Sequence, residues 1–226
     1  MDLNKTRHRW EDPLLTALTI LLLVMMFVVA PLQALGFLAF QACELLLALI
    51  LVGGVFVMSG SRAAVVAMLA ALAMSVTGGI LRIKSPSILD LNLFAGAWLI
   101  VGATLFWAVA RATFAPGRIT YHRIIGAVLL YLTVALIFVA MYTFIGTLDP
   151  KAFANMTVQD SPALATQLIY FSIATLTTTG YGDIAPLHPM ARAMCNLEAV
   201  FGQLYPATLL ARLVTLELAH RDEKDF

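Results

Sequence analysis

The chain has 226 residues, of which 61% are hydrophobic and 12% charged, and its formal net charge is +1. Soluble globular domains carry about twice that share of charge, so an ordinary cytosolic enzyme and a disordered tail are excluded, and the near-neutral balance leaves no electrostatic footprint for DNA or RNA. With about 20 residues per lipid-spanning helix, this length holds six spans, short loops and one further segment.

The opening stretch, residues 1–12, carries Lys5, Arg7 and Arg9 and is read as a cytoplasmic N-terminus. A cleaved leader is the alternative, but Glu11–Asp12 and the length of the apolar run that follows favour a first membrane span. That span is expected from Leu14 to Ala30, closed by Pro31. The second runs from Phe37 to Met58 and contains Gln41 and Glu44. The third runs from Ala63 to Leu81, and the fourth from Ile88 to Ala110, with Asp90 and Asn92 in its first turn. Together residues 13–110 form a four-helix peripheral unit. Glu44 either pairs with Arg82 or faces a polar pocket. Cys43 and Cys195 lie in apolar runs and are read as small hydrophobes. Four scattered histidines give no metal-ligand spacing.

Residues 111–123 carry three arginines, a histidine, Pro116 and Gly117, and mark an interfacial linker. The second half, 124–216, has another layout. A span from Ile124 to Ile145 leads through a polar connection to a semi-apolar segment, 162–175. At about 1.5 Å per residue this reaches only about 21 Å, too short to cross. Asp160 or Ser161 is expected to cap it, with Pro162 in its first turn. A stretch rich in Thr and Gly follows, 177–183, and then a last span, 190–216. Span, half-span, irregular stretch and span make a re-entrant loop, because non-helical backbone survives at membrane depth only when it is shielded by protein or lines a water-filled path.

Basic residues orient the six spans. With the N-terminus inside, Lys5, Arg7, Arg9, Arg62, Arg111, Arg118, Arg123, Arg212, Arg221 and Lys224 are cytoplasmic, and Arg82, Lys84, Lys151 and Arg192 are outside. That bias puts both termini in the cytoplasm. The Arg82–Lys84 pair in a short outer loop is its weak point.

The segment Thr175 to Asp183, TLTTTGYGD, carries the chemistry. Dehydrating a potassium ion requires oxygens that replace its water shell, and backbone carbonyls supply them without fixed charge. Successive carbonyls reach one axis only if the backbone alternates, with some residues at positive φ, as Gly180 and Gly182 permit. The ligands are assigned to the carbonyls of Thr178, Thr179, Gly180 and Tyr181 and to the Thr178 hydroxyl. One chain cannot encircle an ion, so four copies must meet on an axis.

This stretch, placed after a half-length helix and between two spans, resembles the TxTTxGYGD filter of the potassium-channel superfamily. The resemblance is strong over Ile124–Leu216 and only architectural for the first four spans, which are similar to the six-helix channel layout. It implies an all-α membrane protein: six transmembrane helices, a pore helix, an extended filter and a homotetrameric pore in the lipid bilayer. Thr179 stands where the family often has Val or Ile, and Ala174 where some relatives keep a glutamate behind the filter. Thr177, Tyr170 and Asp183 are expected to support the filter. Tyr170 either bonds the Asp183 carboxylate or packs as an aromatic cuff with Phe171.

Gly202, 20 residues after Gly182, matches the family's inner-helix hinge, and Pro206 removes a helical hydrogen bond one turn later. The alternative to a hinge is a static kink. Gln203, Pro206, Leu210 and Val214 are expected near the cavity. Glu198, an ionisable group within a span, is expected near Thr175 or Thr177, either as a titratable modulator or as a satisfied structural carboxyl.

The fourth span has no arginine before Arg111, so weak or absent arginine-based voltage sensing is expected. Residues 217–226 are read as a short cytoplasmic tail, too small for a ligand-binding domain, so such gating would need an unidentified regulatory subunit. The expected protein is a passive potassium-selective channel, not an enzyme, without cofactor, in a plasma membrane of bacterial inner-membrane type. The rivals are a less selective cation channel of the same fold, a subunit of a potassium transporter and a non-conducting membrane adaptor.

Overall fold

The computed structural model describes residues 3–36, 53, 61–84, 87–113 and 121–222. The expected second span, with Gln41, Cys43 and Glu44, falls outside the described residues apart from Gly53. So do residues 114–120 of the expected linker and the last four residues of the tail.

The first helix, α1, spans Leu3–Val24 and begins within the expected N-terminal segment. Pro31 does not close the first span. The helix continues through a π-helical turn, Met25–Val29, into α2, Ala30–Ala34, with Pro31 in the first turn of α2. Ala30 donates its N–H to the Met25 carbonyl, five residues back. The wider turn accommodates a residue that has no N–H and whose ring would crowd the preceding carbonyls.

Helix α3 spans Arg62–Lys84 and α4 spans Ile88–Thr113. Ser87 starts α4, donating its N–H to Asp90 Oδ1 at 2.7 Å. An acidic third residue reaching back in this way satisfies an amide that the helix itself cannot. Helix α5 spans Tyr121–Leu148 and α6 spans Leu164–Leu176. Strands β1, Phe153–Ala154, and β2, Ala185–Pro186, pair antiparallel, Phe153 with Pro186 and Ala154 with Ala185. Helix α7 spans Pro189–Asp222, about 51 Å at 1.5 Å per residue. It runs six residues past the expected end at 216. No Gly or Pro follows Pro206 to break it, and Leu216–Glu217–Leu218–Ala219 are all good helix formers.

Among the described residues, four helices are long and apolar enough to cross a membrane: Pro13–Ala34, Arg62–Arg82, Ile88–Arg111 and Ile124–Leu148. The expected sixth span lies within α7, which carries Arg192, Asn196, Glu198 and Gln203 among its apolar residues. The described residues are therefore largely helical, with four apolar helices of spanning length among them.

Helix α5 is the hub. It packs against α1, α4, α6 and α7, and 61% of its apolar window is buried, against 17% for α3. That accords with a sequence apolar on every side, which only a surrounded helix can bury. Leu15, Leu18 and Leu22 of α1, Leu105 and Val109 of α4, and Leu129 and Leu130 of α5 join one core with Phe171 and Leu176 of α6. That core is continuous across the boundary expected at 111–123.

The start of α6 departs from expectation. It begins at Leu164, and its N-cap position, Ala163, offers no side-chain hydrogen bond. Asp160 instead faces Arg82, with Nε to Oδ2 at 3.1 Å and Nη2 to Oδ1 at 2.5 Å. A two-pronged, charge-assisted pair is stronger than a single bond to a helix amide. It ties the C-terminal end of α3 to the loop before α6.

Candidate ion-conducting site

The site begins at the C-terminal end of α6. The amide of Thr178 bonds the Thr175 carbonyl at 2.9 Å, and the amides of Thr179 and Gly180 both bond the Ala174 carbonyl, at 2.9 and 3.2 Å. Three consecutive N–H groups thus turn back onto the helix. The φ angles then change sign at every residue. Thr177 is at −81°, while Thr178, Gly180 and Gly182 are at 55°, 57° and 79°, and Thr179 and Tyr181 stay negative. Alternation of right- and left-handed residues turns successive peptide planes so that amides share one edge and carbonyls the other. Glycine enters the left-handed region freely, but a β-branched residue does not. Thr178 is therefore strained, by about 1–3 kcal/mol.

Among the described residues, the carbonyls of Thr178, Thr179, Gly180 and Tyr181 accept no hydrogen bond within the chain. The whole run 177–183 is exposed, although the residue before it, Leu176, is fully buried. The loop after it is held elsewhere. Asn155, at φ 58°, donates from Nδ2 to the Asp183 carbonyl at 2.8 Å, and the Ala152 carbonyl accepts from Leu187 N–H at 2.8 Å. Asn155 was not singled out from sequence. Its tolerance of the left-handed region was the one available signal.

Tyr170 stacks on Tyr181, with ring centroids 5.9 Å apart and planes at 11°. Phe171 points the other way, into edge contacts with Tyr142 and Phe153, so no cuff forms between residues 170 and 171. Thr177 Oγ1 donates to the Ile173 carbonyl at 2.7 Å and lies 2.8 Å from Thr179 Oγ1.

Helix α7 follows α6 in parallel register. Glu198 meets Ser172, and one turn further on both helices Gly202 meets Leu176. Glu198 is fully buried. Its Oε2 accepts from the Tyr142 hydroxyl at 2.5 Å, and its Oε1 lies 2.5 Å from Ser172 Oγ, which is itself 3.0 Å from the Ala135 carbonyl. The carboxyl thus sits one turn earlier along α6 than Thr175 or Thr177, where the sequence reading put it. The reason is register. The run 177–188 between the helices sets which turns oppose each other, and helical periodicity alone does not contain that offset. Ser172 and Tyr142 were missed for the same reason: each sits in an apolar run, and only the packing gives it a partner.

A Cβ on Gly202 would collide with the Leu176 carbonyl oxygen and lie 2.8 Å from its carbon. Glycine is needed here for close approach, with α7 seated directly on the last residue of α6. The same carbonyl accepts from the Tyr131 hydroxyl at 3.2 Å. Helix α7 runs as one helix through Gly202 and Pro206. Gln203, Pro206 and Leu210 are exposed on it, whereas the Val214 side chain lies outside the described residues. Cys195 is a free thiol 3.4 Å from the Tyr142 hydroxyl.

These elements constitute one stretch of chain, and that stretch has counterparts. Residues 124–217 match the model of a family described as ion channel. No curated protein and no solved structure matches the chain. The family match covers α5, α6, the alternating run and most of α7, the parts that build the site. It supports an ion channel, and with the apolar helices it supports a membrane-embedded protein of ion transport.

Proposed function

We propose that the protein is a potassium-selective channel in which four copies surround one axis and ions pass down their electrochemical gradient. One observation carries this reading: φ alternates in sign from Thr177 to Gly182 while the amides of Thr178, Thr179 and Gly180 turn back to α6. That leaves a row of uncharged carbonyl oxygens, the ligand set that replaces the water of a cation while still letting it go. The family match to 124–217 supports the same reading.

A row on one chain covers one side of an ion. The exposed Tyr181, at 70%, and the outward apolar positions Leu197, Val200 and Leu204 on α7 are the surfaces that further copies would cover. Thr178 to Gly182 form the ion path, with Thr177, Tyr170 and Asp183 as its support. Gln203, Pro206 and Leu210 line the inner approach, and Gly202 with Pro206 shapes α7. Both termini are cytoplasmic in this reading, and the membrane is a plasma membrane of bacterial inner-membrane type.

The test is the reversal potential of purified protein in a planar bilayer. Under opposed potassium and sodium gradients the current is expected to reverse near the potassium Nernst potential. Gly180→Ala, which places a side chain in the left-handed region, is expected to abolish that selectivity. Reversal midway between the two ions would replace this reading with a less selective cation channel.

Voltage dependence is a separate expectation. Moving one charge through 100 mV contributes about 2.3 kcal/mol, and α4 carries its one arginine, Arg111, in its last turn. The conductance–voltage relation is expected to be shallow in a pure bilayer. A steep sigmoid would show that charges other than an arginine ladder on α4 cross the field.

A further inference from the structure

We infer that Gln203 is a positioning residue for the innermost ion site, acting through the hydroxyl of Thr178; this rests on the potassium-channel reading above. Gln203 Nε2 donates to Thr178 Oγ1 at 2.7 Å, and Thr178 Oγ1 donates to the Thr177 carbonyl at 2.7 Å. Among the described residues, no other side chain outside the run 177–183 hydrogen-bonds a side chain within 177–180.

The bond falls where the backbone is least comfortable. Thr178 is the β-branched residue at φ 55°, and such a conformation persists only where its surroundings over-determine it. Its amide is held by Thr175. Its side chain is held by the Thr177 carbonyl and by Gln203.

The bond also sets what the hydroxyl offers to a cation. A threonine hydroxyl has one proton and two lone pairs. The proton goes to the Thr177 carbonyl and one lone pair takes the Gln203 N–H, so a single lone pair remains with its direction fixed. Fixing that direction keeps the oxygen in place as an oriented ligand for a dehydrated ion, and loss of the bond leaves the hydroxyl free to turn away. Field strength and number of oxygens are the quantities that grade cations at such a site.

Position allows this role. Gln203 is exposed, as are residues 177–183, and it follows Gly202, whose missing side chain brings α7 onto Leu176. In the fourfold arrangement proposed above, four carboxamides ring the inner end of the filter. Gln203 Oε1 accepts no hydrogen bond among the described residues, which leaves it as a further acceptor for a hydrated ion in that arrangement.

The experiment uses the full chain, purified as its assembly. Potassium affinity is measured by calorimetric titration in a sodium background, and unitary conductance in vesicles of phosphatidylethanolamine and phosphatidylglycerol. The variants are Gln203→Met, Gln203→Asn, Thr178→Val and the double variant Thr178→Val/Gln203→Met. A neutral hydrogen bond contributes about 0.5–1.5 kcal/mol, so Gln203→Met is expected to weaken potassium binding by roughly two- to tenfold and to lower unitary conductance. Gln203→Asn keeps the carboxamide but falls a methylene short, and is expected to match Gln203→Met. In the Thr178→Val background the glutamine substitution is expected to add nothing.

Wild-type affinity and conductance in both Gln203→Met and Gln203→Asn would overturn the inference while leaving the channel reading intact. So would an equal loss from Gln203→Met in the Thr178→Val background, which would show that the carboxamide acts on the cavity and not through Thr178. A wild-type protein whose current ignores potassium would overturn the channel reading, and this inference with it.

Discussion

Gly202→Ala is expected to lower the thermal stability of the purified protein and to break up the fourfold assembly proposed above. The added methyl group would overlap the Leu176 carbonyl oxygen, a main-chain atom at the end of α6. Overpacking a core costs about 1–3 kcal/mol when flexible side chains can move aside. Here the obstacle is backbone, already engaged by the Tyr131 hydroxyl at 3.2 Å. Relief requires α7 to move away from α6, and that shift also withdraws Gln203 from Thr178. The unfolding midpoint and the size-exclusion profile check this, alongside current in vesicles. The same variant separates packing from bending. If Gly202 served only as a hinge, Gly202→Ala would retain stability and assembly and change open probability alone. Pro206 denies an N–H to the Gly202 carbonyl one turn back, so Pro206→Ala, which removes that gap without adding bulk at the contact, is expected to keep the assembly.

Glu198 carries the second large effect. It is fully buried and joins three helices: Tyr142 from α5, Ser172 from α6 and its own α7. The contacts number more than the protons of Ser172 can serve. Its one hydroxyl proton faces both the Ala135 carbonyl at 3.0 Å and Glu198 Oε1 at 2.5 Å. The count closes when Ser172 donates to Ala135 and accepts from a proton on Glu198, while Tyr142 donates to the other carboxyl oxygen. Glutamine reproduces that pattern, with its N–H toward Ser172 and its oxygen toward Tyr142. Glu198→Gln is therefore expected to keep near wild-type stability. Glu198→Ala opens a cavity and leaves Tyr142 and Ser172 without their partner, a loss of about 2–5 kcal/mol. Tyr142→Phe removes one bond and leaves a buried oxygen unmet, at about 1–3 kcal/mol. Denaturation midpoints of the three variants in one detergent check the order. Equal destabilisation by Glu198→Gln and Glu198→Ala would show that the charged carboxylate is the form the fold needs.

The network also bears on the support of the proposed filter. Where some potassium channels place a glutamate behind the filter, this chain has Ala174. The buried carboxyl here comes from α7 and grips Ser172 on α6, two residues before Ala174. The loop after residue 180 is held separately, by the stack of Tyr170 on Tyr181 and by Asn155 on the Asp183 carbonyl. Inner and outer supports are therefore distinct, and a variant in one is expected to leave the contacts of the other in place.

Much of this arrangement was legible in the linear chain, and the reasons are local. Apolar runs of spanning length marked four helices that the structure contains, because lipid demands about 20 apolar residues wherever they occur. A half-length apolar segment followed by Thr and Gly marked α6 and the alternating run, because a glycine's freedom at positive φ belongs to the residue itself. Gly180 and Gly182 could be read this way, but Thr178 at positive φ could not, since its intrinsic preference points elsewhere. The ends of helices were read less well. Asp160 looked like a cap for α6 until Arg82, 78 residues away in sequence, claimed its carboxylate. Pro31 looked like a stop until a π-helical turn accommodated it.

Alone, the amino-acid order determined the apolar helices of spanning length, the half-length helix with its Thr- and Gly-rich run and the residues that can present a row of carbonyls, since these follow from hydropathy, length and intrinsic backbone freedom. Tertiary structure alone decided which turns of α6 and α7 oppose each other. From that register came the Glu198–Ser172–Tyr142 network, the seat of Gly202 on Leu176 and the reach of Gln203 to Thr178. The physical reason is that a pairing across helices depends on the geometry of the loop that joins them, and no periodicity within either helix encodes that offset.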